Sequence, residues 1–180
     1  MHRSLVALAA LAVSGLLASC NAEDPAALFA DVSYQLRCLD CNPIAPDGPK
    51  RDFSTTDGQN GTRLSCRASN GLVSLEIVGE GFMFKILDAR PGDQPGNQCE
   101  VQVSEGGTSN EYRGACKPVD GAGMQPCEVE LVSDGDGGFA GTVECHRIPH
   151  RVTSAAFRHV VAPGSTDKPA NVSAQGCAGL

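Results

Sequence analysis

The sequence predicts an all-β protein: a disulfide-stapled antiparallel β-sandwich of about nine short strands behind an N-terminal signal segment. Three observations lead there. The 180 residues include 21 Gly and 11 Pro, well above the ~12% combined share of an average chain. Nine cysteines are too many for a chain kept reduced in a cytosol. Successive segments also alternate apolar and polar residues with a period of two, as a strand with one buried face does.

The elements follow in order. In segment 31–38, Val32, Tyr34, Leu36 and Cys38 share one face, with Ser33, Gln35 and Arg37 on the other. In segment 63–68, Leu64 and Cys66 oppose Arg63, Ser65 and Arg67. Asn70-Gly71 is the strongest two-residue hairpin signal, because both central residues of that turn need positive φ. The return strand places Val73, Leu75 and Ile77 inward; Gly79-Glu80-Gly81 breaks it, and Phe82, Phe84 and Ile86 form the next inward face. The last strand is read over 152–161, and a Pro/Gly/Ser-rich tail follows from Ala162. The one helical candidate after the signal, 24–30, is one or two turns long.

Between these lies an internal repeat, 99–116 and 127–145. Each copy is Cys-Glu-Val, a Gly-rich turn, aromatic-x-Gly, then Cys. Cys99, Val101 and Val103 share parity with Tyr112, Gly114 and Cys116, and Cys127, Val129 and Leu131 with Phe139, Gly141, Val143 and Cys145. The simplest account is two hairpins, each closed by its own disulfide, Cys99–Cys116 and Cys127–Cys145. Cys38, Cys41, Cys66 and Cys177 then allow three pairings. Because Cys38 and Cys41 are near neighbours, each is expected to reach a distant partner, with Cys177 tying back the tail.

At the N-terminus, Met1-His2-Arg3 supplies a positive start, and an apolar run from Leu5 to Leu17 ends in Leu17-Ala18-Ser19-Cys20. The run fits the core of a secretory signal and is short for a membrane span. Residues 1–20 resemble the signal and lipobox of bacterial lipoproteins. The resemblance implies a signal peptide over 1–19, an acylated (palmitate-class) Cys20 and a tether over 20–27. The remainder, 28–180, reads as one sandwich domain. Setting Cys20 aside leaves eight cysteines, an even number that suits four disulfides. A lipid anchor makes the membrane a partner and the cell envelope the address. Asn21 is not the Asp that marks inner-membrane retention in such lipoproteins, which favours the outer membrane.

The net charge of −7 with no basic cluster excludes nucleic acid as a partner. The absence of Trp weakens a sugar-stacking reading. No Gly-x-Ser-x-Gly, P-loop or dinucleotide glycine pattern is present. Cys38-Leu39-Asp40-Cys41 has redox spacing, but Pro43, Pro46 and Pro49 follow where a helix would be needed to activate a thiol, so it reads as structural. No complete metal set is present; the nearest are His146 and His150, four apart and on one face of an extended strand, and Asp134 and Asp136 in a Gly-rich turn. Glu100, Glu128, Glu130 and Glu144 fall on the outward parity of the repeat, a solvated acidic face able to meet a basic partner. Asn60-Gly-Thr62 and Asn171-Val-Ser173 match a glycosylation sequon, which would carry little weight in a bacterial lipoprotein.

The sequence thus predicts a non-enzymatic envelope lipoprotein with a structural or protein-interaction role, no cofactor, and an envelope protein as partner. The alternative is a small ligand- or metal-binding lipoprotein using His146 and His150. A hydrolase assembled from distant residues would leave no local motif.

Overall fold

The structure, a computed structural model, describes residues 27–41, 45–92, 99–107, 110–116, 126–153 and 156–179. The expected signal peptide over 1–19, Cys20 and all but the last residue of the expected tether lie outside them. The described chain forms β1 (Phe29–Arg37), β2 (Arg51–Thr56), β3 (Arg63–Ser69), β4 (Leu72–Gly79), β5 (Phe82–Ala89) and β6 (Glu100–Glu105). There follow β7 (Glu111–Ala115), β8 (Cys127–Ser133), β9 (Phe139–Pro149), β10 (Phe157–Val161) and β11 (Ala170–Gln175).

These strands make two antiparallel sheets packed face to face. One is a meander in chain order, β3-β4-β5-β6-β7. Its first turn is the one the sequence dictates: Asn70 and Gly71 adopt φ of 54° and 74°, and Ser69 pairs with Leu72 around them. The other sheet is interleaved. β1 pairs with β2 on one side; on the other, residues 29–33 pair with β11 and residues 35–37 with β10. β9 pairs with the same two strands, β11 through 139–143 and β10 through 145–149, and then with β8. β10 and β11 therefore lie end to end in one slot, a single strand interrupted by the excursion 162–169. The excursion is closed by Ala162 N–H donating to the Lys168 carbonyl at 2.8 Å.

Inward positions alternate as expected and meet in one core. Val32, Tyr34 and Leu36 of β1 face Leu75, Ile77, Phe84 and Ile86 of the meander, all at most 2% exposed. The rings of Tyr34 and Phe84 lie 5.0 Å apart. The two repeat hairpins fall in different sheets, β6–β7 in the meander and β8–β9 in the interleaved sheet, and they touch through Gly114. A Cβ there would stand 2.4 Å from both the Cys127 sulfur and Ile148. The glycine of the first copy thus makes room for the cystine of the second.

Three expectations change. Strands number eleven among the described residues, because β2 and β11 join those read from the sequence. Over the described part of 24–30 there is no helix: Phe29 and Ala30 open β1, where Ala30 is buried between Thr55 and Ala174. And Cys38 and Cys41 bond each other rather than distant partners. β1 ends at Arg37 and the chain folds straight back, Gly48 N–H donating to the Leu36 carbonyl at 2.7 Å, so both cysteines occupy one turn. Cys66 and Cys177 pair because the tail crosses to β3, where Ala178 forms a parallel bridge with Arg67.

Cys99–Cys116 and Cys127–Cys145 close their hairpins as read. On loop-closure entropy, the 111-residue separation of Cys66–Cys177 is worth about 5 kcal/mol and the hairpin cystines about 3 each. The three-residue separation of Cys38–Cys41 is worth about 2 kcal/mol. The first of these is the principal covalent tie between the sheets.

Candidate functional site

Polar side chains collect in three places. The first is the outward face of the interleaved sheet. Register places Asp52, Ser33, Asn171, Thr142 and Glu130 in one row across it, and Ser54, Asp31, Ser173, Ala140 and Val132 in the next. Glu128 sits directly opposite Glu144, a like-charge pair that contributes nothing to pairing strength. The middle of the face is built from Ser, Asn, Ala and Thr, and across β2, β1, β11 and β9 it holds an open hollow of about 370 Å³. Arg37 and Arg147 stand toward the far end and are each committed to an aspartate, Asp47 and Asp40. Glu100, read from the sequence as part of the same face, lies instead on the meander, 3.7 Å from Arg113.

The second place is between the sheets. Glu105 of β6 is 6% exposed and accepts the Tyr34 hydroxyl at 2.9 Å. Arg51 of β2 grips the same carboxylate through Nε at 3.0 Å and Nη2 at 2.6 Å. Burial pushes the Tyr34 hydroxyl far above its ordinary value, and the Glu105 charge adds to the shift, so Tyr34 remains a donor. The hydrogen bond to Glu105 holds the Arg51 guanidinium charged, against the cost of its partial burial. The network fastens β1 and β2 to β6 and floors an open groove of about 530 Å³. Leu36, Gly48, Tyr112 and Arg158 are among its walls.

The third place adjoins that groove, around the short Cys38–Cys41 ring. Asp40, inside the ring, accepts from His159 Nε2 at 3.0 Å and pairs with Arg147. The His159 hydrogen bond is the chief reason the Asp40 carboxyl is held below the usual carboxylate range, with Arg147 helping. Burial pushes the Asp47 carboxyl up, but the Cys38 N–H and the Arg37 guanidinium outweigh it and leave Asp47 low. Arg147 sits in the left-handed region at φ 53°, at a bulge where the β9–β10 register shifts. Its guanidinium lies 4.8 Å from the centre of the Phe157 ring.

That bulge separates the two histidines read as a pair. His146 keeps the outward parity, its ring 5.8 Å from that of His159 and its Nε2 3.3 Å from Glu144. Beyond the bulge the faces exchange, so His150 turns to Tyr112, ring centres 5.2 Å apart, and to Thr153. Asp134 and Asp136 lie at the opposite end of β9. Asp134 Oδ1 accepts the N–H groups of Asp136 and Gly138 at 3.0 and 2.9 Å, and Oδ2 accepts from Gln175 at 2.8 Å. Its carboxylate organises the turn between β8 and β9. The four metal candidates are not brought together, and no group of three metal-ligating side chains occurs among the described residues.

Sequence reasoning missed the Tyr34–Arg51–Glu105 network and the part played by Arg158 and His159 around the ring. Period-two parity placed Tyr34 inward, but its partners sit 17 and 71 positions away, with no spacing to announce them. No family model matches the chain, no curated protein matches its sequence, and no solved structure matches its fold.

Proposed function

We propose that this chain is a cell-envelope lipoprotein, held to a membrane through acylated Cys20, with a non-enzymatic interaction role. The sandwich presents the outward face of its interleaved sheet to a basic surface on an envelope protein. The observation that carries this reading is the composition of that face. Asp31, Asp52, Glu128, Glu130 and Glu144 stand among mostly small side chains, a surface suited to electrostatic steering. Four internal cystines support an oxidising compartment, in keeping with the secretory pattern of residues 1–20. The Asn21 criterion favours the outer membrane.

Two measurements test the two halves. Cys20→Ala should move the protein from the membrane pellet to the soluble envelope fraction; persistence in the pellet would remove the anchor. A photo-crosslinking residue placed at Thr142, in the middle of the face, should give a discrete adduct in intact cells, whereas one at Ser74 on the meander should not. Replacing Glu128, Glu130 and Glu144 with Lys should abolish the Thr142 adduct. Equal adducts from both positions, or one indifferent to the charge reversal, would end the docking reading.

A further inference from the structure

Three of the four cystines are buried: Cys66, Cys99, Cys116, Cys127, Cys145 and Cys177 are each at most 7% exposed. The fourth is different. Cys38 and Cys41 are half-buried, and Leu39 and Asp40 between them are exposed. The sequence lacks the helix N-terminus that ordinarily activates a Cys-x-x-Cys pair, but the fold brings a cation there by another route. Arg158 of β10 extends one guanidinium nitrogen to 3.3 Å from the Cys41 sulfur. The same guanidinium sits 5.4 Å from the centre of the Tyr112 ring and forms part of the groove wall. The two carboxylates near the ring have cations of their own, Asp40 with Arg147 and Asp47 with Arg37. Among the described residues, the hydrogen bond recorded at the Cys38 sulfur comes from the Ala45 N–H, at 3.5 Å.

We propose that Cys38–Cys41 is a thiol–disulfide exchange site, reduced by an external dithiol that enters along the groove. The thiolate of the dithiol attacks Cys38 Sγ. A bond forms between the two, the Cys38–Cys41 bond breaks, and its electron pair leaves on Cys41 Sγ beside Arg158. The second thiolate of the dithiol then attacks its partner sulfur in the mixed disulfide, and Cys38 leaves as a thiolate. Two electrons pass from the dithiol, which becomes a disulfide, to the cystine; the two protons released by the dithiol balance those taken up by Cys38 and Cys41. Arg158 sets the direction, because exchange favours the sulfur that leaves as the better-stabilised thiolate. Once protonated, Cys41 has the Phe157 carbonyl as an acceptor, 3.3 Å away.

The test uses the oxidised full-length protein in detergent, with dithiothreitol as the dithiol. Aliquots are blocked with N-ethylmaleimide and mapped by peptide mass. Cys38 and Cys41 should be labelled at least tenfold faster than any of the other six without denaturant. Opening at the same rate as Cys66–Cys177, or only after unfolding, would overturn the site. Glutathione then reports direction: a brief pulse followed by iodoacetamide should leave glutathione on Cys38 and the alkyl group on Cys41. In Arg158→Gln, checked for an unchanged circular-dichroism spectrum, exchange should slow about fivefold and the Cys38 preference should collapse. Arg158→Lys should restore most of both. A preference unchanged in Arg158→Gln would remove Arg158 from the mechanism.

Discussion

The two sheets are built by opposite routes. The meander joins β3 to β7 in chain order, with two-residue turns on both sides of β4 and at most ten residues between any two neighbours, so each pairing costs little loop entropy. The interleaved sheet gathers strands from both ends of the chain, and its central slot is filled twice, by β10 and then by β11, on either side of an excursion. The meander can hold itself together locally. The interleaved sheet depends on contacts made across the molecule, and above all on those that pin its last strand and tail to β3.

The largest effect should come from cutting that tie. Cys66→Ala/Cys177→Ala removes the constraint with the longest span. It should cost about 5 kcal/mol, a fall in melting temperature of about 10 °C or more. Native-state hydrogen exchange should show β11 and β10 losing protection before β4 and β5. Equal loss in both sheets would dissolve the distinction between them.

The same contrast governs what could be read from the sequence. In the meander, Asn70-Gly71 announces a hairpin and Leu64, Cys66, Val73, Leu75 and Ile77 announce a buried face, because partner strands are sequence neighbours. The repeat was legible for the same reason: Cys127 lies opposite Cys145 within one hairpin. β2 and β11 were not. Arg51–Thr56 carries a single large apolar residue, Phe53, which packs on Phe82 with ring centres 5.1 Å apart. Ala170–Gln175 reaches the core through Ala170, Val172 and Ala174, residues too small to mark a strand although all three are at most 3% exposed. A slot between β1 and β9 calls for small side chains, and that demand exists only once those strands are in place. At the candidate ring, the Cys-x-x-Cys spacing was visible, but the Arg158 guanidinium arrives from 117 positions away.

A second, smaller effect should come from the polar clamp between the sheets. Glu105→Gln leaves Arg51 and the Tyr34 hydroxyl facing a neutral amide, in a position where the carboxylate is nearly buried. Loss of one partner from a buried pair costs about 3–5 kcal/mol, and Arg51 keeps 27% side-chain exposure, so about 2 kcal/mol is expected. A double-mutant cycle with Arg51→Gln would measure the coupling. A coupling near zero would mean that apolar packing alone joins the sheets at this end.

The smallest effect concerns pH and is confined to the interleaved sheet. Asp40 and Asp47, at its ring end, both have carboxyls held below their ordinary value in the folded state. A carboxyl with a depressed folded pKa binds its proton more readily when unfolded. Its contribution is complete above the unfolded value of about 4 and is lost as pH falls through the lower folded value. Asp40 is 37% exposed, so solvent screens its links to His159 and Arg147 and the contribution is below about 0.5 kcal/mol. Asp40→Asn should leave stability at pH 7 almost unchanged and flatten its decline as pH falls below about 4. The decline should persist in part through Asp47 and vanish further in the double variant with Asp47→Asn. If the double variant still declines as steeply, the acid sensitivity belongs to carboxylates elsewhere, and the ring end is held by Arg147 over Phe157 and the strand pairing beneath it.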